Sequence, residues 1–201
     1  MGDPPRVPDE TLARRSASGD GDAFSELVRR HEARVYSIAL RMTGREEDAR
    51  DAAQDAFLTA FRKLGSFRGD SAFTTWMHRV TINASYDLLR KRARAPEPVA
   101  EPAEPRDHAA TRGASVDHAD RVAEELDVRG ALAFVPEDFR AVLVLHDMQD
   151  LPLDEVAAIL DLPLGTVKSR CHRARVALGK VLAGERERMS SSGASEGTTE
   201  R

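Results

Sequence analysis

Proline is absent between Pro8 and Pro96, and that gap constrains the fold more than any other feature of the chain. The pyrrolidine ring removes a backbone donor and bars the residue before it from the helical conformation. The stretch from about Asp9 to Arg94 is therefore free to be helical throughout. Pro96, Pro98, Pro102 and Pro105 then crowd together, with Glu97, Glu101, Glu104, Asp107 and Asp117 set against Arg106 and Arg112. Residues 95–118 read as a flexible, extended, acidic linker. Five segments follow: a disordered leader at 1–9, a folded domain at 10–94, the linker at 95–118, a second folded domain at 119–183, and a disordered tail at 184–201 that holds the run Ser190 to Ser195.

Within the first folded segment the apolar residues step at helical spacing. Phe24, Leu27, Val28, Val35, Ile38, Ala39 and Met42 recur every three or four positions. Asp20-Gly21-Asp22 supplies cap chemistry ahead of them, and Gly44 ends the run. The next helix opens on Glu46, Glu47 and Asp48, where the helix dipole favours acids, and is expected to turn Ala53, Phe57, Ala60, Phe61 and Leu64 inward. A glycine-containing connector, Gly65 to Thr75, leads to a third long helix with Phe73 or Trp76, Met77, Val80, Ala84 and Leu88 inside. With 41% hydrophobic and only 5% aromatic residues, and no alternating run of strand length, the expected class is all-α.

In the second segment Val122, Leu126 and Leu132 mark one helix. Pro136 sits where a first helical turn tolerates proline, ahead of Phe139, Val142, Leu143 and His146. Pro152 precedes a short helix with Val156, Ala157, Ile159 and Leu160. Asp161-Leu162-Pro163-Leu164-Gly165 makes a tight break, and a last helix runs from about Thr166 to about Leu182. Leu153 to Leu178 thus reads as a helix-turn-helix, whose second helix can lie in the major groove of duplex DNA. Ala157 is small where two helices must approach, Asp161 falls at a left-handed position that aspartate tolerates, and Val167 packs the second helix back on the first.

The formal net charge is −4, so contact with nucleic acid has to rest on local charge. From Gly165 to Lys180 the last helix carries Lys168, Arg170, Arg173, Arg175 and Lys180 and no acid. With Thr166, Ser169 and His172, these groups can reach base edges and phosphates. A second basic stretch holds Arg79, Arg90, Lys91, Arg92 and Arg94 against Asp87, with Asn83 and Tyr86 interleaved. It suits single-stranded nucleic acid, or equally a helix C-terminus enriched in cations by its dipole. The third feature is acidic: Asp51, Gln54 and Asp55 share one helix face. That face can dock a basic partner or can simply be solvated.

Other chemistries find little support. The single cysteine, Cys171, allows neither an internal disulfide nor a cysteine-rich zinc site, which fits a reducing cytosol. No run of about 18 apolar residues is present, and the start lacks a signal-peptide core and a myristoylation pattern. The expected location is cytoplasmic, without membrane insertion. No phosphate loop or nucleophile elbow occurs. The six histidines, at 31, 78, 108, 118, 146 and 172, are scattered. His146 beside Asp147 reads first as a helix-end histidine and only second as a metal or acid–base pair. Cys171 beside His172 reads as a small packed residue ahead of a redox or metal handle. No enzyme, catalytic residue, cofactor or metal is expected.

The acidic face, the basic aromatic helix and the helix-turn-helix, in this order, resemble the extracytoplasmic-function (ECF) sigma factors over nearly all of Phe24 to Leu182. The segment Asp48-Ala49-Arg50-Asp51-Ala52-Ala53-Gln54-Asp55-Ala56-Phe57 resembles the family's helix that grips the polymerase clamp. Phe73 to Asn83, with Asp87-Leu88-Leu89-Arg90, resembles its promoter-melting helix. Gly165-Thr166-Val167-Lys168-Ser169-Arg170-Cys171-His172-Arg173-Ala174-Arg175 is similar to its recognition helix and is the most specific match. The Ser-Arg-Cys run is reminiscent of the actinobacterial sigma-M-like subgroup. Asp161 stands in place of the commoner glycine, Asp55 in place of glutamate, and Ala52-Ala53 in place of a larger apolar pair.

The resemblance implies a sigma factor that brings core RNA polymerase to the promoters of a stress or envelope-type regulon. Asp51, Gln54 and Asp55 would bind the clamp of the largest subunit, and the second domain the flap of the second. Phe67, Trp76, Arg79, Asn83 and Arg90, with the connector Phe67 to Thr75, would capture a flipped base of the minus-ten element. Thr166, Lys168, Ser169, Arg170, Arg173 and Arg175 would read the minus-thirty-five element as duplex. The linker would thread the polymerase cleft, and an anti-sigma factor is implied by family. The rival reading is a stand-alone helix-turn-helix regulator, which would ordinarily dimerise on two half-sites; no heptad seam for that is visible.

Overall fold

The computed structural model describes residues 7–67, 69, 71–94, 128 and 130–193, with side chains described to residue 184. Among these residues there are helices and no strands. Helices α1 (Asp9–Ala17), α2 (Gly21–Thr43), α3 (Glu46–Lys63) and α4 (Phe73–Arg94) form the first module, with a 3-10 turn at Leu64–Ser66. Residues 130–133 are helical and precede α5 (Glu137–His146), α6 (Leu153–Leu160) and α7 (Leu164–Gly193) of the second. Val122, Leu126 and the linker 95–118 lie outside the described residues.

The helix ends follow local chemistry. Asp20 caps α2 by accepting a hydrogen bond from the Ala23 N–H at 3.0 Å. Gly44 closes α2 in the left-handed conformation at φ 77°, which glycine adopts without a Cβ penalty. Pro136 and Pro152 stand at the N-caps of α5 and α6. Asp161 ends α6 at φ 54°, ψ 50°, the left-handed turn that its position requires. The last helix departs from expectation at both ends. It starts two residues early, at Leu164, and its backbone stays helical to Gly193 through the segment expected to be a disordered tail. No proline interrupts that run, and an interior glycine costs a helix only about 1 kcal/mol.

Leu27, Val35, Phe73 and Met77, with Leu12 and Leu64, form the core of the first module. Helices α2 and α3 meet along Ala39, Ala49 and Ala52, all fully buried, so the small Ala52 allows a close approach of the two backbones. Phe61 does not join this core as expected: it is 56% exposed and rests edge-on against Phe24 at 4.9 Å. The inward stripe of α3 is instead Ala49, Ala52, Ala56 and Ala60.

The two modules share a core. Ile38 and Met42 of α2 and Ile82 of α4 pack with Val142, Leu145, Val156, Ile159, Val167 and Cys171 of the second module. Full burial of side chains this size is worth roughly 1.5–3 kcal/mol each. Arg140 of α5 lies buried in the seam and donates to the carbonyl oxygens of Val135 at 3.0 Å, Ala133 at 2.8 Å and, across the seam, Met42. It has no carboxylate partner among the described residues. Backbone carbonyls at a helix end, which have no partner within the helix, satisfy it.

Candidate functional site

The acidic face of the first module is a groove. Asp51, Gln54 and Asp55 are all exposed on α3 and, with Asp48, Asp87 and Leu88 and with Arg45, Lys91 and Arg92 at the rim, line a cleft of about 620 Å³ between α3 and α4. Arg92 reaches across from α4 to Asp48, holding the two helices together at the rim. Leu58, 43% exposed, and Phe61 continue the same face, since positions three, four and seven apart share a side of a helix. Sequence reading assigned Phe61 to the core and passed over Leu58. The signal was there in the spacing Asp51, Gln54, Leu58, Phe61.

The basic helix brings some of its expected residues together and commits others elsewhere. The Phe67 and Trp76 rings lie 5.4 Å apart in a cluster with Phe73, so the connector is held against the start of α4. Asn83 is exposed on the same helix, and Arg90 is exposed and paired with Asp87 at 2.7 Å. Arg79 is engaged by the second module. Its Nε donates to the Ile159 carbonyl at 3.2 Å and its Nη2 to that of Ala158, both in the last turn of α6. The Thr75 hydroxyl donates to Glu155 Oε1 at 2.5 Å beside it. Tyr86, half-buried in the seam, has its phenol pushed up to about 12 by burial, with Asp138 adding to the rise.

Sequence reading missed two groups that the packing creates. Arg140 could have been noticed as the lone cation inside an apolar helix. His78, 2% exposed, has neither ring nitrogen hydrogen-bonded. Burial holds its pKa down at about 4, and the charges of Arg34 and His31 push the same way. Nothing in its spacing distinguished it from an ordinary inward helix position.

On α7, Val167, Cys171 and Ala174 turn inward. Lys168, Ser169 and Arg173 are exposed and Thr166 is half-buried; among the described residues Lys168 and Arg173 make no ion pair. Two nominated cations are paired to α5. Arg170 binds Asp138 at 3.0 Å, and Arg175 grips both oxygens of Asp147, with Nε to Oδ2 at 3.1 Å. Cys171 is a small packed residue, as expected, and makes no pair with His172. His172 is exposed, and Cys171 instead faces His146 and Asp147.

The chain matches two family models: Sigma-70 region 2 over residues 27–95 and Sigma-70, region 4 over residues 125–178. It is 38% identical to the RNA polymerase sigma-H factor of Pseudomonas aeruginosa, over 87% of this chain and 93% of that one. It is 41% identical to the ECF RNA polymerase sigma factor SigM of Mycobacterium tuberculosis, over 87% of this chain and 84% of that one. Its fold is similar to that of the sigma factor RpoE of Bartonella quintana, solved in complex with the anti-sigma factor NepR. The TM-score is 0.61 and the identity 26%, over 80% of this chain and 96% of that one.

Proposed function

The chain belongs to the ECF group of the sigma-70 family, a sigma factor that directs promoter recognition and transcription initiation, and on that footing we propose how its surfaces divide the work. The groove on α3, with Asp51, Gln54 and Asp55, docks the clamp of the largest polymerase subunit. The connector from Phe67 and the face of α4 with Trp76, Arg79, Asn83 and Arg90 hold an unstacked base of the minus-ten element. Helix α7, with Thr166, Lys168, Ser169, Arg170, Arg173 and Arg175, reads the minus-thirty-five duplex, while the second module also meets the flap of the second subunit. The units are residues 10–94 and 119–183. The protein works in the cytoplasm as a specificity subunit and not as a catalyst.

One observation carries this reading: the exposed Asp51, Gln54 and Asp55 face and a cation-bearing helix-turn-helix occupy separate modules of one chain. The labour then divides physically. Phosphate contacts by α7 hold the duplex with a strength that falls with salt. Trapping a flipped base in the first module offsets part of a melting cost of a few kcal/mol. Mounting both modules on one polymerase raises the effective concentration of the second contact.

The described arrangement is a closed one, because Arg79 is occupied by α6. Promoter engagement then requires the modules to part. The fold shared with RpoE, which was solved with an anti-sigma factor, supports control of that step by a protein inhibitor. The run Ser169-Arg170-Cys171 and the similarity to SigM support placement near the sigma-M subgroup. The deciding experiment is run-off transcription with core polymerase over a promoter library, with and without this chain. Specific new transcripts are expected. Stable operator binding by the chain alone, with no transcript, would favour the stand-alone regulator instead.

A further inference from the structure

Three electron-rich side chains converge where α5 ends against the inner side of α7. The His146 imidazole, the Asp147 carboxylate and the Cys171 thiol each bring one ligand atom within 4.8 Å of the others. Nδ1 of His146 lies 2.8 Å from the Leu151 carbonyl oxygen. A carbonyl can only accept, so Nδ1 carries the proton, and Nε2 of the neutral ring is left with its lone pair. That lone pair faces the acid: Nε2 is 3.9 Å from Asp147 Oδ1. Among the described residues neither Nε2 nor the Cys171 sulfur makes a hydrogen bond.

The imidazole nitrogen, the carboxylate, which Arg175 already pairs, and the neutral thiol make a three-donor set that a positive species can bridge. A proton on Nε2 is one such species and a metal ion another. The donor set selects among metals. Magnesium and calcium take oxygen ligands, whereas imidazole nitrogen with thiolate sulfur suits the zinc class. The His146 geometry is also that of a metal ligand, its second ring nitrogen donating to a backbone carbonyl that fixes tautomer and orientation. Tetrahedral bonds of about 2.0–2.3 Å set ligand atoms roughly 3.3–3.8 Å apart, so the cluster must close by about 1 Å. Torsions of His146 and Asp147, whose side chains are 27% and 28% exposed, can supply that.

We propose that His146, Asp147 and Cys171 bind one divalent cation of the zinc class, with solvent in the fourth position. Binding expels the Cys171 S–H proton to solvent as the metal–sulfur bond forms, and nothing is oxidised or reduced. Burial raises the thiol pKa, so before the cation arrives the sulfur keeps its proton and is a poor nucleophile. Arg175 cedes Oδ1 and remains on Oδ2 of Asp147. The result is a clip between the end of α5 and the inner face of α7, coupled to the DNA-facing side through Arg175.

The test is a titration of the reduced full-length chain with Co²⁺ as the spectroscopic probe. One equivalent should bind, with sulfur-to-metal charge-transfer absorption and the visible bands of a four-coordinate site, and Zn²⁺ should displace it. His146→Gln and Cys171→Ala should each weaken binding at least tenfold and reduce the charge-transfer band, with helix content checked by circular dichroism. His146→Gln, on a partly exposed side chain, carries the test alone if Cys171→Ala fails to fold. His172→Gln should leave the cobalt titration unchanged. Absence of a sulfur band in the unaltered chain, or an unchanged titration in His146→Gln, overturns the proposal.

Discussion

The Arg79 guanidinium donates from Nε to the carbonyl oxygen of Ile159 at 3.2 Å. That carbonyl belongs to the last turn of α6, where helical geometry leaves oxygens without donors and the dipole favours a cation. Arg140 repays the contact in the opposite sense, donating from the second module to Met42 at the end of α2. Each module thus caps a helix of the other, and the shared core of Ile38, Met42 and Ile82 closes around the pair.

Weakening this seam should expose the face of α4 proposed to hold the minus-ten element. Glu155 accepts from Thr75 at 2.5 Å, and a hydrogen bond to a charged group is worth about 1.5–3 kcal/mol. Glu155→Ala should therefore raise the affinity of the free chain for a single-stranded minus-ten oligonucleotide about tenfold. Fluorescence anisotropy measures this, and an unchanged affinity would mean that the seam does not mask α4.

Arg140 should be costly to remove. Truncation to alanine leaves the carbonyls of Ala133, Val135 and Met42 without their donor and opens a cavity; with hydrogen bonds to a charged group worth about 1.5–3 kcal/mol, the loss should be about 3 kcal/mol. Arg140→Lys should rescue little, because one ammonium cannot reproduce the planar fork. Urea unfolding at neutral pH checks both variants. Wild-type stability in Arg140→Ala would remove the capping account.

His78 predicts a pH dependence. Its pKa is about 4 in the fold against 6.5 free, so between those values the unfolded chain binds more protons. The contribution is complete above pH 6.5 and is lost as pH falls toward 4. From pH 7 to 5 this amounts to about 2 kcal/mol. His78→Leu should flatten that part of the stability profile, measured by unfolding at both pH values against the unaltered chain.

The two binding faces should separate by mutation. Asp51→Lys, on the exposed groove, should lower affinity for core polymerase about tenfold and leave duplex binding intact. Arg173→Ala should do the reverse, weakening minus-thirty-five binding by about 1–3 kcal/mol if it reads a base. Parallel loss of both activities in either variant would show that the faces are not independent.

Much of the architecture was legible because helix ends are decided by neighbours in the chain. Pro136 and Pro152 at caps, Asp20 accepting from Ala23, Gly44 and Asp161 in left-handed turns all follow from residues within four positions. The same locality placed Val167 on the inner side of α7. Phe61 departs from that locality. Its spacing fits the apolar face, but alanines at 49, 52, 56 and 60 draw α3 so close to its neighbours that the larger ring is turned outward.

By itself the amino-acid order determined that there are two helical modules, where their helices begin and break, and which faces are acidic, basic or apolar. Only the tertiary structure decided what those faces meet. Ile38 and Met42 read as core, yet the core they fill, with the unremarked Ile82, belongs to both modules; Arg79 reads as free for DNA, yet it caps α6; and Cys171, beside His172 in sequence, lies against His146 in space. The reason is physical. Backbone propensity acts over one helical turn, whereas unpaired helix-end carbonyls and exposed apolar stripes find their partners only when distant segments pack.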